Sequence, residues 1–323
     1  MKALVTGATG FIGSHLVDCL LHRGDEVSCL TRNPSHLRWL NGSRVSVIRG
    51  DCADPDLGRH IGDDFDWVFH LAGLTKTLDR SEFYRTNGDG TANLATLLAQ
   101  MRRAPRLIYL SSLAAAGPSR NGHPLREPET PQPVSDYGRS KLEGEKALTG
   151  LGGSIPWLIV RAPVIYGPRD RGLLPFFKLA KRGVAFRFGG RRDFSLCYVD
   201  DLVRGLQLAA ERGRPGEIYY VAEEAPRSWK EIWDAIAEAL GVRPLTIPLP
   251  TALLGVAAAA SEGIARVTGT QPLLSRDKAR EMREPYWVCD PAKAGQDLGF
   301  ATTVPLRTGA QRAVDWYKSY GWL

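Results

Sequence analysis

Residues 3–13 read Ala3-Leu4-Val5-Thr6-Gly7-Ala8-Thr9-Gly10-Phe11-Ile12-Gly13, an apolar run followed at once by a glycine-rich turn. Gly7, Gly10 and Gly13 allow a tight turn, close approach of the backbone to a pyrophosphate and close packing of the helix that follows. Free N–H groups at the start of a helix also attract phosphates. This stretch therefore predicts a buried strand, a turn and a helix at which a dinucleotide binds.

Outward from this turn, short apolar runs alternate with segments of helical period. The runs predicted as strands are Ala3–Thr6, Val27–Leu30, Val45–Ile48, Trp67–Leu71, Leu107–Leu110 and Leu158–Val160. The segments predicted as helices are Phe11–His22, Ser81–Met101 and Tyr137–Leu148. Such alternation is typical of a parallel sheet with right-handed crossovers. The sequence therefore predicts a doubly wound α/β fold whose ligands bind at the carboxyl ends of the strands.

The pattern loosens after Pro168, where turns rich in glycine, proline and arginine begin. The segments predicted there are a helix at Tyr198–Ala210, a strand at Glu217–Ala222, an amphipathic helix at Ser228–Leu240 and an alanine-rich segment at Thr251–Thr268. We expect residues 1–168 to form the dinucleotide-binding domain and residues 198–222 to return to it. The rest of 169–323 is then a smaller, mostly helical substrate lobe.

The charge balance limits the classes of partner. The chain has 42 basic and 35 acidic residues, a net charge of +7, which can favour nucleic acid, an anionic membrane surface or small phosphate-bearing molecules. The basic residues are dispersed and form no stripe, so the charge indicates a solvated surface with phosphate contacts, and no nucleic acid partner. The most apolar later stretch, Thr251–Ala260, is too short to span a bilayer and is interpreted as a packed helix or an apolar pocket wall.

The cysteines, histidines and amino terminus bear on compartment and metals. The five cysteines show no short paired spacing and are interpreted as reduced and structural. The six histidines are scattered, so no metal site is predicted. The chain enters a strand at once, without a basic and apolar signal segment, and we expect a cytoplasmic protein.

Tyr137 and Lys141 are the residues whose spacing points to chemistry. Four residues apart on a predicted helix, they lie one turn apart on the same face. A nearby ammonium favours the phenolate form of a tyrosine, so the pair can exchange a proton with an alcohol or ketone. Ser112, at the end of a predicted strand, can donate a hydrogen bond to the same substrate oxygen. The hydride for such a reaction comes from a nicotinamide.

These segments together resemble the extended short-chain dehydrogenase/reductase family, in its epimerase/dehydratase type. The stretches that carry the resemblance are Thr6–Gly13, Val68–Gly73, Ser111-Ser112 with Gly117, Tyr137–Lys141, Arg161–Pro168 and Tyr198–Leu202. Their order and spacing run through most of the chain. The resemblance implies a Rossmann fold, a small-molecule substrate and a homodimer formed through the helices at 81–101 and 137–148.

The resemblance also implies roles for individual residues. The catalytic set is Ser112, Tyr137 and Lys141. The cofactor contacts are Gly7, Thr9, Gly10, Phe11, Ile12, Gly13, Arg32, Asp51, Cys52, Leu71, Ala72, Gly73, Tyr137, Lys141 and Pro163.

Several of these residues keep two interpretations. Asp51 either lies near the adenine or caps the turn at 51–55. Asn87 is either adjacent to the cofactor or the start of a helix. Tyr166 and Arg161 are either pocket members or supports, and they stand outside the catalytic set.

The end of the second strand departs from the pattern of NAD-binding members. An acidic residue usually holds the ribose hydroxyls there, whereas this chain reads Thr31-Arg32-Asn33. A guanidinium can pair with a 2′-phosphate in two-pronged fashion, so Arg32, helped by Thr31 or Ser35, favours NADP over NAD. Alternatively, Arg32 is exposed and stacks on the adenine while NAD binds.

Two reactions and one non-catalytic role are consistent with the sequence. The favoured reaction interconverts a ketone and a secondary alcohol, as in the 3β-hydroxysteroid dehydrogenase and dihydroflavonol reductase branch, because Leu113 and Ala114 stand where sugar dehydratases carry acidic residues. The alternative is a nucleotide-diphosphate-sugar epimerase, in which Arg187, Arg191 and Arg192 clamp the diphosphate. The third is a cofactor-binding protein without catalysis, which the intact catalytic set disfavours.

Overall fold

The computed structural model describes residues 1–34, 37–40 and 44–323. The first seven strands are β1 (Lys2–Thr6), β2 (Glu26–Thr31), β3 (Val45–Arg49), β4 (Trp67–His70), β5 (Arg106–Ser112), β6 (Trp157–Ala162) and β7 (Val164–Tyr166). The helices among them are α1 (Phe11–His22), α2 (Arg80–Phe83), α3 (Gly90–Ala99), α4 (Leu113–Ala116) and α5 (Asp136–Gly150), with a 3-10 turn at Pro55–Arg59 and a π-helical turn at Tyr84–Asp89.

The second half is mostly helical. Its strands are β8 (Val184–Arg187), β9 (Asp193–Phe194), β10 (Leu196–Tyr198), β11 (Glu217–Tyr220), β12 (Arg227–Ser228), β13 (Leu245–Pro248) and β14 (Tyr286–Trp287). Its helices are α6 (Leu174–Lys181), α7 (Val199–Arg212), α8 (Trp229–Leu240), α9 (Leu253–Thr268), α10 (Arg276–Arg283), α11 (Ala292–Leu298) and α12 (Leu306–Ser319).

A parallel sheet forms the centre of the first half. Within the described residues its seven strands lie in the order β3-β2-β1-β4-β5-β6-β11. The order reverses between β1 and β4, and in doubly wound sheets ligands bind at the carboxyl ends of the strands beside such a reversal. The doubly wound α/β fold predicted from the sequence is confirmed. β11 pairs with β6, so residues 217–220 belong to this sheet.

Helices cover both faces of the sheet because successive strand residues point to opposite sides. On one face, α1, α7 and α11 contribute Leu16, Leu206 and Leu298 to the core. On the other face, α3 and α5 contribute Leu94 and Leu148. The backbone that binds a ligand at the strand ends is therefore held by two packed layers.

The helix predicted at Ser81–Met101 is interrupted. Its first turn, α2, passes into the π-helical turn at Tyr84–Asp89 before α3 begins. Such widened turns are frequent at functional sites. This one contains Asn87, whose amide group contacts the loop after β4, and the interruption therefore lies beside the switch point.

The second half packs into two smaller clusters. Phe177 of α6, Trp233 of α8 and Tyr317 of α12 form one. The other joins α9 and α10 through Leu254 and Ala279. Together they form a smaller, mostly helical lobe beside the sheet.

α9 differs from the packed helix or pocket wall expected at Thr251–Ala260. Leu254 and Ala258 are buried, but Leu253 and Val256 are exposed, so the helix is packed on one face only. Which face is covered depends on α10, which the apolar composition of the segment does not reveal. None of the helices in the described residues has the length and hydropathy needed to cross a bilayer.

Candidate active site

The glycine turn after β1 has the close contacts that the sequence predicts. Gly7 has a φ of +71°, and a Cβ there would lie 2.7 Å from the backbone of Leu71 and Ala72. A Cβ on Gly13 would lie 2.1 Å from the carbonyl oxygen of Gly7. Only glycine therefore fits either position, and the turn brings the start of α1 against the end of β4.

The start of α1 fits a pyrophosphate. Gly10 is the N-cap and offers no side chain to the first N–H groups, and the first turn carries no acidic residue. These N–H groups and the positive end of the helix dipole favour an anion. Thr9, Phe11 and Ile12 lie partly buried around the turn. The residues present thus fit the phosphates of a dinucleotide.

A buried chain of hydrogen bonds supports the turn from below. Thr6 Oγ1 accepts from the N–H of Ala72 at 3.0 Å and lies 2.7 Å from His70 Nδ1. His70 Nε2 lies 2.9 Å from Thr91 Oγ1, which donates to the carbonyl of Asn87. Burial lowers the pKa of His70 to about 3, so the ring is neutral. Because the Thr91 hydroxyl donates its proton to Asn87, it can only accept from His70. His70 therefore donates from Nε2 and accepts at Nδ1.

Ser112 and Tyr137 lie together at the carboxyl end of β5. Ser112 is the N-cap of α4 and accepts the N–H of Ala114 at 3.1 Å. Burial raises the pKa of the Tyr137 phenol, and a hydrogen bond with the Ser112 hydroxyl opposes that rise. The Tyr137 ring packs against Phe83, with the ring centroids 6.1 Å apart. The phenol is therefore held in its protonated form beside a second hydroxyl.

Lys141 lies one turn further along α5 and is buried. Its ammonium donates to the carbonyl of Leu110 at 2.7 Å and lies 4.1 Å from the centre of the Tyr109 ring. A Cβ on Gly73 would lie 3.7 Å from Lys141 Nζ, which places the loop after β4 beside the ammonium. Burial lowers the pKa of Lys141 to about 7, although the charge of Glu145 opposes the shift.

A buried ion pair lies under this lysine. Arg161 of β6 donates from Nε to Glu145 Oε1 at 3.0 Å and from Nη2 to Glu145 Oε2 at 2.7 Å. Ser111 donates to the same carboxylate at 2.5 Å, and Arg161 Nη1 donates to the Tyr220 hydroxyl at 3.1 Å. The sequence predicts that Arg161 is either a pocket member or a support. Its contacts with Glu145 make it a support of α5, the helix that carries Lys141.

The start of α5 is capped by residues of α10. The Asp277 carboxylate of α10 accepts the N–H of Asp136 at 2.7 Å and the N–H of Tyr137 at 3.1 Å. Ser135, the N-cap of α5, donates to Glu281 of the same helix α10 at 2.7 Å. The position of Tyr137 thus depends on a helix about 140 residues away in sequence. Ser135, Asp277 and Glu281 are not among the site residues predicted from the sequence, because no local pattern indicates the contact.

Arg32 is exposed at the end of β2, where a ribose would approach. Its guanidinium lies 4.0 Å from Asp51, and that of Arg85 lies 3.9 Å from the same carboxylate. Asp51 also accepts the N–H of Ala53 at 3.0 Å, so the capping contact is present. Ser35, the other helper considered for a 2′-phosphate, lies outside the described residues.

The remaining predicted residues lie around the same strand ends. Cys52 is buried and its carbonyl accepts from Asn93 Nδ2 at 2.8 Å. Asn87 accepts the N–H of Leu74 at 2.8 Å and donates to Ser140, which links the widened turn to α5. Pro163 joins β6 to β7 and is partly buried.

Arg192 has a different role from the diphosphate clamp considered for it. Its guanidinium is buried and donates to the carbonyls of Met282, Arg283 and Glu284 at 2.9 to 3.2 Å, which caps the end of α10. Arg191 pairs with Asp193 at 2.7 Å. In the described part of the chain, no three His, Cys, Asp or Glu side chains converge on a possible metal position.

Comparisons with known proteins agree with this architecture. The model of the NAD-dependent epimerase/dehydratase family matches residues 3–222. The ceramide reductase of Caulobacter vibrioides is 32% identical, over 99% of this chain and 95% of the relative. A 4-hydroxy-2-methyl-3-oxo-4-farnesyl-3,4-dihydroquinoline-1-oxide ketoreductase of Stigmatella aurantiaca is 28% identical, over 96% of this chain and 94% of the relative. The UDP-glucose 4-epimerase of Thermus thermophilus, solved with NAD, is 25% identical with a TM-score of 0.78, over 98% of this chain and 99% of that one.

Proposed function

We propose, because this chain belongs to the NAD-dependent epimerase/dehydratase family, that it is an NAD(P)-dependent oxidoreductase interconverting a ketone and a secondary alcohol. The observation that carries this proposal is the approach of Ser112 to a protonated Tyr137, with Lys141 buried one helical turn further along α5. A hydroxyl pair of this kind can hold and protonate a carbonyl oxygen. The bound dinucleotide supplies the hydride.

Each member of the set has its own task in this proposal. Tyr137 donates its phenolic proton to the substrate oxygen in reduction and takes it back in oxidation. Ser112 donates a hydrogen bond to the same oxygen. Lys141, when protonated, favours the phenolate by its charge, and the contacts with Leu110 and Tyr109 fix the position of its amino group. Lys278 of α10 also lowers the pKa of the phenol by its charge.

We further propose that the substrate carries a hydrocarbon part. The residues after Ser112, Leu113–Ala116, are buried and apolar and provide no acid or base for a dehydration. Two of the relatives are named as a ceramide reductase and as a ketoreductase of a farnesyl compound, and both names describe substrates with hydrocarbon chains. These two observations favour reduction of a ketone on an apolar molecule.

A redox-neutral epimerase is the second candidate. The fold similarity to a UDP-glucose 4-epimerase solved with NAD favours it. The position of Arg192 weighs against it, because a guanidinium that caps α10 is not available to a diphosphate. Arg191 also has a carboxylate partner already.

The state of the cofactor distinguishes the two candidates. We expect the purified protein to be free of nicotinamide and to oxidise added NADPH stoichiometrically when a ketone with a hydrocarbon chain is supplied. Mass spectrometry of the denatured protein measures retained cofactor, and absorbance follows the reduced nicotinamide. Tightly retained NAD, with no net oxidation of reduced cofactor by any ketone, would favour the epimerase.

The preference for NADP is part of the proposal and rests on Arg32. We expect Arg32→Ala to raise the Kd of NADPH by about tenfold or more, because a charge-assisted, two-pronged contact with the 2′-phosphate is lost. The Kd of NADH should change little. Arg44→Ala is the matched control. Arg44 is an exposed arginine that immediately precedes β3, at the opposite end of the strands from Arg32. Titration of both variants with both cofactors measures the effect, and an equal loss for NADH and NADPH would contradict it.

We also propose that the protein is cytoplasmic and forms a homodimer. The face of α5 that a dimer would use exposes Arg139, Glu143 and Lys146. A contact through this face would therefore be polar, and light scattering measures whether it forms.

A further inference from the structure

The outward face of α9 is apolar along its length. Leu253 is 50% exposed, Val256 68%, Ile264 64% and Val267 89%. At about 100° per residue these four side chains fall within an arc of about 80°. Ala260 lies in the same arc and is also exposed. The helix thus turns a continuous apolar stripe away from the protein.

The acidic side chain of α9, Glu262, lies on the opposite side of the helix from the apolar stripe. Glu262 is buried and accepts the N–H of Arg276 at 2.7 Å. Arg266 is the one charged side chain exposed within residues 253–268, all of which the structure describes. The stripe therefore has a basic residue at its border and no carboxylate on its exposed face.

The helix beside it, α10, adds to the positive charge. Residues 249–283 contain five basic and three acidic residues. Each acid is paired with a more exposed cation: Glu262 with Arg276 at 3.6 Å, Asp277 with Arg280 at 3.4 Å, and Glu281 with Lys278 at 2.7 Å. Of these cations, Arg276 is 62% exposed beside α9. Arg280 also contacts the buried Asp136 of α5 at 3.3 Å, and the charge of Lys278 lowers the pKa of the Tyr137 phenol, so these two face the candidate active site.

We propose that α9 docks on the surface of an anionic lipid bilayer. The apolar stripe enters the boundary between headgroups and acyl chains, while Arg266 and the neighbouring Arg276 of α10 contact the headgroups. Anionic headgroups complement this surface. A symmetric contact with a second copy of the chain would instead bring Arg266 close to the basic border of the same stripe, with no carboxylate on the face to offset it.

The docked surface lies one helix away from the candidate active site. α9 packs on α10, and Asp277 of α10 binds the N–H of Tyr137. A hydrocarbon ketone dissolved in the bilayer would therefore meet the enzyme near its catalytic residues. This use of the surface rests on the proposed function, whereas the docking itself rests on the stripe and its charges.

Sedimentation with vesicles tests the docking without any use of catalysis. The full chain is mixed with vesicles of phosphatidylcholine alone, or of phosphatidylcholine with phosphatidylglycerol. We expect binding to the anionic vesicles, weakened by salt, and a bound fraction at least about tenfold lower for Val256→Glu/Ile264→Glu. Thr308→Glu/Gln311→Glu adds the same charge at exposed positions of α12 and should bind like the unchanged protein.

Three results would overturn the proposal. The first is an absence of binding to either vesicle. The second is an equal loss in both double variants, which would make the effect one of net charge alone. The third is an unchanged protein that is dimeric by light scattering and becomes monomeric in the α9 variant, which would show that a second copy covers the stripe. Thermal melts of both variants show whether they remain folded. Because vesicle binding does not depend on catalysis, a failed ketone assay would contradict the proposed function but not the docking.

Discussion

Tyr137→Phe is expected to lower kcat for ketone reduction by about 10³-fold, within the range for loss of a general acid. The substitution removes only the phenolic oxygen. The ring keeps its contact with Phe83, and the N–H of residue 137 keeps its bond to Asp277, so the helix should remain in place. The carbonyl oxygen then keeps a hydrogen bond from Ser112 but has no group to protonate it.

A second tyrosine provides the control for this variant. Tyr84 donates its hydroxyl to Asp136 at 3.2 Å, at the start of the same helix. Tyr84→Phe should retain most of the activity, and both variants should bind NADPH with an unchanged Kd. Steady-state kinetics with cofactor titration measures both quantities. Activity of Tyr137→Phe close to that of Tyr84→Phe would remove Tyr137 from the reaction.

The fold could be predicted because its signals are local. Alternating apolar and helical segments indicate a parallel sheet, and the glycine spacing fixes where its ligand binds. The pairing of Tyr137 with Lys141 is equally accessible from the sequence, since residues four apart on a helix share a face. Each of these inferences uses only neighbours in sequence and the regular geometry of one element.

Other parts of the site depend on contacts between distant segments. Asp277 caps α5 across about 140 residues, and nothing in the sequence around either residue indicates the partner. The charge of Arg192 is visible in the sequence and suggests a diphosphate ligand, whereas its three carbonyl partners are not visible there. The exposed face of α9 could not be predicted for the same reason. Either side of an alanine-rich helix can be buried, and the contact with α10 decides which one is.

Lys141 is the residue at which function and stability are expected to oppose each other. Its ammonium is buried, and the pKa of about 7 shows that the folded protein favours the neutral amine far more than water does. The bond to Leu110 and the Tyr109 ring offset only part of the cost of burying the charge. Residues kept for catalysis at such a cost commonly lower stability.

Lys141→Met is therefore expected to lose at least about 10²-fold in kcat and to gain in thermal stability by on the order of a few degrees below pH 7. The pKa of Lys141 is lower in the folded state than the ordinary value of 10.5, so between about pH 7 and that value the unfolded chain binds more protons. The unchanged protein thus gains stability as the pH rises through this window, and the advantage of the variant should shrink. Thermal melts of the cofactor-free protein across this range measure the difference. Lys146→Met, at an exposed lysine on the same helix, is the control and should melt close to the unchanged protein. A lower melting temperature for Lys141→Met at about pH 6 would mean that the contacts of the ammonium outweigh its burial.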